Sequence, residues 1–249
     1  MTGEEKLLVA KFDDMFKLCD KYQSPRFSSF LNEAEQGLVT TNFGYSGYNY
    51  MTFGGFPDAQ RKVFGVFPEW MEIDTKEFPI KVLRVIKKYK KELTHRDYLG
   101  TVLSSGIDRK LVGDIVCDDK GAYIYILNDV AEFVAGALQK IANVGVEVTI
   151  KDCFDIEPPK QKFEMINTVA ASERLDAVIA AILNISRRIS SELIKASKVS
   201  VNHVEVTDTD FILKPGQIIS VRGFGRYIYI DKGMTTRSQR IHIEVKKFI

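Results

Sequence analysis

The 249-residue sequence predicts an α+β protein in three sections, and two patterns carry that reading. Between residues 78 and 153, short strand-like runs alternate with helical stretches in the order strand, helix, strand, strand, helix, strand. That is the split βαβ (ferredoxin-like, RRM-like) order, with four antiparallel strands and two helices on one face. From residue 173, two short amphipathic helices run into a series of short strands separated by turn residues, which predicts a small two-helix plus β-sheet domain.

Residues 1–75 read as an N-terminal α+β region. Leu7, Leu8, Phe12, Phe16 and Leu18 mark an amphipathic helix that Gln23-Ser24-Pro25 ends. Ser28 or Ser29 is expected to cap a second helix, with Asn32-Glu33 in its first turn. YNYMTFGG (48–55) and RKVFGVFP (61–68) alternate like two strands around Pro57-Asp58-Ala59.

The middle domain is placed at 76–155. PIKVLRVIKK is its first strand, THRDYLGTVLSSG a helix and loop, and Gly113–Cys117 a second strand. Asp118-Asp119-Lys120-Gly121 turns the chain into the strand AYIYIL, followed by the helix NDVAEFVAGALQKI and the strand GVEVTIKDC. RNA-recognition domains use this topology and display strand aromatics, of which Tyr123 and Tyr125 are a faint echo; a buried or plain surface role is expected for both. Residues 156–172, with Pro158-Pro159, read as a linker leading to a strand-like KFEMINTV.

In the C-terminal section, 173–249, Leu175, Val178, Ile179, Ile182 and Leu183 form one apolar stripe, with Ser172 as its expected N-cap. Asn184-Ile185-Ser186 breaks the helix, and Ser186 caps the next, which puts Arg187 and Arg188 in its first turn. Cations there oppose the helix dipole, at about 0.3–1 kcal/mol for an exposed end. Such a pair makes sense where a phosphate lies across it; the plain alternatives are solvation or a bridge to Glu192. Lys195 and Lys198 extend the basic edge, Asn202-His203 and Lys214-Pro215-Gly216 make turns, and Arg222, Arg226, Arg237 and Arg240 add charge.

Composition narrows the function. The net charge of +2 divides into +6 over residues 160–249 and −4 over the rest, so the basic charge coincides with the two-helix pattern and points to a polyanion partner. No apolar run approaches the roughly 20 residues that span a bilayer. Cys19, Cys117 and Cys153 are widely spaced, as in reduced thiols rather than a zinc site, so a cytoplasmic protein without metal or cofactor is expected. His95-Arg96-Asp97 reads as a helix start, capped by Thr94 with Asp97 reaching back. Arg61-Lys62 reads as a solvated strand edge.

The segments RLD (174–176), SRR (186–188), LIKASKVSVN (193–202) and LKPGQIISV (213–221) resemble the small RNA-binding domain first seen in the fourth protein of the small ribosomal subunit. The likeness covers 173–222. It departs at His203, where a glycine usually follows the asparagine, and at Gln217, where an acidic residue is common. Several enzymes carry this domain. The nucleotide-binding signatures of tyrosyl-tRNA synthetases are absent, too few residues follow the domain for a pseudouridine synthase, and Gly223-Phe-Gly225 is too short for a methyltransferase cofactor loop.

With GGFPDAQRKVFGVFP (54–68), THRDYLGTVLSSGI (94–107) and VGDI (112–115), the whole chain resembles the YlmH family of bacterial proteins. That resemblance implies a non-enzymatic RNA-binding protein, encoded among cell-division genes and associated with the large ribosomal subunit, where it serves rescue of stalled translation. The implied partners are structured RNA (large-subunit rRNA and peptidyl-tRNA) and the ribosome, with no membrane; a monomer is expected. The residues expected to meet RNA are Arg174, Arg187, Arg188, Lys195, Lys198, Asn202, His203, Lys214, Arg222 and Arg226, with a candidate second contact at Arg61, Lys62, His95 and Arg96. The rival readings are an RNA-modifying enzyme with a site in residues 1–153 and an interaction module for the division machinery.

Overall fold

The computed structural model describes residues 3–43, 49–158, 163–202, 204–235 and 240–248, with side chains left out at 231–235. The chain divides into two compact units, Met1–Pro159 and Lys160–Ile249. His203 and Arg237 lie outside the described residues.

The first unit begins with α1 (Gly3–Tyr22), β1 (Arg26–Leu31), α2 (Glu33–Phe43), β2 (Asn49–Phe53) and β3 (Lys62–Phe67). Its strands form an antiparallel sheet in the order β1-β3-β2. Phe12, Phe16 and Cys19 of α1 bury against Leu31, Val39, Phe64 and Val66, and the Phe12 and Phe64 rings meet edge-on at 5.2 Å. The helix expected from Ser28 is a strand instead. At a bulge in the β1–β3 pairing, the Ser28 hydroxyl accepts the Phe64 N–H at 2.9 Å and donates to the Ser29 carbonyl, so it repairs a ladder rather than capping a helix. The cap lies one turn later, where the Asn32 side chain accepts the Glu35 N–H and the Glu35 carboxylate accepts the Asn32 N–H.

The unit continues with β4 (Ile80–Lys87), α3 (His95–Ser104), β5 (Val112–Asp118), β6 (Gly121–Leu127), α4 (Asn128–Ala137), β7 (Lys140–Ile141) and β8 (Val144–Asp152). The antiparallel sheet has the order β5-β6-β4-β8-β7. The second helix stops at Ala137, short of Ile141, because Ala142 and Asn143 take positive φ and turn β7 back onto β8. One face of the sheet packs on the helices, with Leu83, Val85, Ile124 and Ile126 against Tyr98, Val102, Ala131 and Val134. The opposite face, where an RNA-recognition domain shows its aromatics, meets the N-terminal strands. Val82 and the fully buried Tyr125 pack with Phe30, Val63 and Phe67. Gly55, at φ +96°, allows this approach, since a Cβ there would overlap the Tyr125 ring. Residues 1–75 and 76–155 thus share a core.

The second unit holds β9 (Phe163–Ala170), α5 (Leu175–Leu183), α6 (Arg187–Lys195), β10 (Val199–Val201), β11 (Val204–Glu205), β12 (Ile218–Val221), β13 (Gly225–Thr235) and β14 (Ile241–Phe248). Six antiparallel strands run in the order β11-β10-β12-β13-β14-β9. The strand-like segment expected at the end of the 156–172 linker is a full sheet strand, paired with β14 from Phe163↔Phe248 to Ala170↔Ile241. Leu175, Val178, Ile179, Ile182 and Ile194 of the helices fill the core over Val199, Ile219, Tyr229 and Val245.

Candidate nucleic-acid interface

The site is organised around Asp176, a buried carboxylate that the sequence reading did not single out. It sits in the first turn of α5, with its side chain only 5% exposed. It accepts from Arg174 Nε at 3.1 Å and from Arg187 Nη2 at 2.6 Å. Burial pushes its pKa upward, but the two guanidinium hydrogen bonds and their charges outweigh that, so the carboxyl is held below its ordinary value. Arg174 also pairs with Asp210. It occupies the N-cap position itself, in place of Ser172, whose hydroxyl accepts the Arg174 N–H. The Leu175 and Asp176 N–H groups at the start of α5 go to the Phe211 and Thr209 carbonyls. The end of α5 expected at residues 184–186 is a left-handed Asn184.

Ser186 caps α6, accepting the Ile189 N–H at 3.3 Å. Arg187 and Arg188 follow in the first turn and take different roles. Arg187 reaches inward to Asp176, while the Ser190 hydroxyl below it donates to the Asp176 carbonyl oxygen at 2.8 Å and pins the helices together. Arg188 stays outward, 78% exposed, and bridges Glu192 one turn on at 2.6 Å. An exposed i,i+4 pair is weak, so Arg188 is free to exchange Glu192 for a phosphate. The plain alternative of a bridge to Glu192 thus holds for Arg188, and Arg187 has an internal partner.

Beyond α6 the chain closes in a Schellman turn, with Ser197 at φ +55° and the Lys198 N–H on the Leu193 carbonyl. Lys195 and Lys198 are exposed, and the Arg222 N–H donates to the Lys198 carbonyl at 2.8 Å, which sets those two basic residues side by side. Asn202 and Lys214 lie at the opposite end of β12, about 10 Å away by strand rise. Asn202, at φ +48°, gives its side-chain oxygen to the Ile218 N–H and so serves the turn. Gln217 accepts the Lys214 N–H through Oε1, which any acceptor at this position would do. Arg226 lies half-buried over the Phe248 ring at 4.5 Å. The structure therefore groups Arg174, Arg187 and Arg188 at one end of α6 and Lys195, Lys198 and Arg222 past the other.

The model of the "S4 domain" matches residues 173–219, and that described as "Putative RNA-binding domain in YlmH" matches residues 74–155. A curated relative, ribosome-associated protein quality control protein P2 of Bacillus subtilis (strain 168), is 28% identical over 224 residues, covering 90% of this chain and 87% of the relative. The solved structure of cell division protein ylmH from Streptococcus pneumoniae has a TM-score of 0.53 at 24% identity and covers 62% of this chain and 95% of that one, a likeness of fold. The chain is similar to the YlmH proteins: it carries a domain that matches the RNA-binding domain described for YlmH and a C-terminal S4 domain.

The segments that carried the resemblance to YlmH outside the S4 domain turn out to be joints. Arg61 follows GGFPDAQ; its Nη2 donates to the Phe30 carbonyl at 2.9 Å and its Nε to the Val112 carbonyl at 3.1 Å. Asp114 of VGDI accepts the Gln60 N–H at 2.6 Å. A Cβ on Gly113 would come within 2.6 Å of the Phe30 ring. Arg109 also donates to the Val112 carbonyl, and burial, reinforced by Arg61, lowers its pKa to about 10. The candidate second contact at Arg61 thus has a structural occupation. Lys62 is half-buried on β3, the central strand of its sheet rather than an edge. His95 and Arg96 are exposed at the start of α3, where the Asp97 carboxylate accepts the Thr94 N–H at 2.7 Å as the capping pattern requires.

Nucleophile chemistry finds no support in the thiols. Cys19 and Cys153 are buried, and burial and Asp152 push Cys153 up to about 12. Among the described residues no group of His, Cys, Asp and Glu could hold a metal ion. No helix among the described residues is long and apolar enough to cross a membrane.

Proposed function

We propose that this chain is a non-enzymatic RNA-binding protein of the ribosome. Its S4 domain lays the α6 face on structured RNA of the large subunit, and its role is in rescue or quality control of stalled translation, with peptidyl-tRNA as a further contact. The observation that carries the reading is Arg188, an arginine on the first turn of a helix, 78% exposed and held only by a displaceable surface carboxylate. Arg187 beside it is fixed by Asp176, so a phosphate meeting Arg188 finds a rigid cationic edge. The name of the Bacillus subtilis relative supports the ribosomal setting.

The test is co-sedimentation of the full chain with purified large ribosomal subunits. Arg188→Glu is expected to weaken association at least tenfold with little change in melting temperature, and binding is expected to fall steeply with salt. Undiminished association of a folded Arg188→Glu protein would remove the α6 face from consideration. Crosslinking in cells, followed by sequencing of the attached RNA, then names the rRNA and tRNA positions.

A further inference from the structure

The middle domain poses a problem of surface. A split βαβ domain that binds RNA ordinarily does so on its open sheet face, through exposed strand aromatics. Here Tyr125 on that face is fully buried against the N-terminal strands. Tyr123 lies beneath the Arg84 guanidinium, 4.2 Å from the ring centroid, and Arg84 is itself paired with Asp118 at 2.8 Å. An RNA contact by this domain needs another surface.

One end of the sheet supplies it. Past β4 the chain reads Lys87-Lys88-Tyr89-Lys90-Lys91 in the unit whose net charge is negative. The backbone fixes this segment. The Lys87 N–H donates to the Lys120 carbonyl and the Lys88 N–H to the Gly145 carbonyl, both at 2.9 Å. Lys87 Nζ donates to the Lys91 carbonyl at 2.9 Å, and Lys91 Nζ reaches the Ala142 carbonyl at 3.4 Å. Lys88, Lys90, Lys91 and Lys120 are exposed, and Tyr89 is 72% exposed among them. None of these lysines forms an ion pair among the described residues. Glu92 and Asp119 lie in the same loops and leave the excess positive. An anchored segment of exposed lysines that carries a bare phenol ring combines the two interactions that hold flexible nucleic acid, charge on phosphates and stacking on a base.

We propose that the Lys87–Lys91 segment with Lys120 is an RNA-binding site of the middle domain, in which the lysines hold backbone phosphates and Tyr89 stacks on one unpaired base. It rests on the reading of this chain as an RNA-binding protein and is independent of the α6 face.

The experiment measures affinity of the full chain for purified bacterial ribosomal RNA over a range of salt. Four proteins are compared: wild type, Lys88→Ala/Lys90→Ala/Lys120→Ala, Tyr89→Ala and Arg188→Glu. The triple variant is expected to reduce the slope of log affinity on log salt by about two to three, one unit or slightly less per lysine. Tyr89→Ala is expected to weaken binding by about fivefold or more. All changed side chains are exposed, so melting temperatures should match wild type, and ultraviolet crosslinking should mark the peptide containing Tyr89. An unchanged salt slope in the folded triple variant would overturn the proposal, as would lysine-dependent retention on phosphatidylserine vesicles without any effect on ribosomal RNA. If Arg188→Glu alone loses binding, this site fails and the α6 face stands; if only the triple variant loses it, the reverse holds.

Discussion

Arg187 on α6 donates to the Asp176 carboxylate on α5 at 2.6 Å, and that carboxylate is almost wholly withdrawn from water. An arginine that looks from the sequence like half of a phosphate clamp is first of all the partner of a buried anion. Breaking such a pair from either side leaves charge without compensation.

Asp176→Ala therefore acts on stability. It leaves Arg174 and Arg187 without their shared acceptor and is expected to cost about 3 kcal/mol, the low end for a broken buried pair, because both arginines are partly exposed. The measurement is hydrogen exchange of the β10 and β12 amides in the full chain, since it reports the second unit alone. Protection equal to wild type would contradict the role assigned to Asp176.

Arg187 and Arg188 should separate when changed singly. Arg187→Ala is expected to lower stability by about 1–2 kcal/mol and also to weaken RNA binding. Arg188→Ala should move stability by less than about 0.5 kcal/mol while weakening RNA binding. Paired melting and ribosome-binding curves for the two variants check this; a shared phenotype would contradict the division.

The same carboxylate sets a pH dependence. Its folded pKa lies below the ordinary value, so the stability it contributes is present above the unfolded carboxylate pKa of about 3.9 and is lost as pH falls through the lower folded value. The stability difference between wild type and Asp176→Asn should be constant near neutrality and should shrink below about pH 4. Exchange of the β10 amides at several pH values reads it, and a difference that persists undiminished in acid would refute it.

In the first unit, Arg61→Ala should cost about 2–3 kcal/mol, because it empties two carbonyl contacts in a half-buried joint, with no loss of RNA affinity. Gly55→Ala should be at least as damaging, since its φ of +96° and the Tyr125 ring both exclude a Cβ. Thermal melting and RNA binding of the same two proteins test both statements.

What the sequence shows and what it hides follow from the range of each interaction. The split βαβ order is legible because Ile80–Lys87 and Gly121–Leu127 are short runs rich in β-branched and aromatic residues, whereas His95–Ser104 and Asn128–Ala137 space their apolar residues at helical intervals. The two helices of the S4 domain are legible for the same reason. Ser28 misleads because a hydroxyl before a run of Asn and Glu serves equally as a helix cap or as an acceptor for Phe64, 36 positions away. Asp176 escapes notice because its partner is 11 residues off and on another helix, although an acidic residue among the apolar residues of α5 is a signal of a buried pair. Arg61 looks like surface charge because its acceptors are carbonyls of Phe30 and Val112, and main-chain oxygens have no signature in a sequence.

The pairing of β9 with β14 joins the first strand of the S4-bearing unit to its last, Phe163 beside Phe248. Among the described residues β9 has no other neighbour in the sheet. Removing residues 241–248 would thus cut loose the strand through which the chain enters the unit and bare the edge of β13, an edge open to pairing with another molecule. Damage at one end of this unit is felt at the other: a truncation placed after β13 for convenience would loosen the strand that leads into α5.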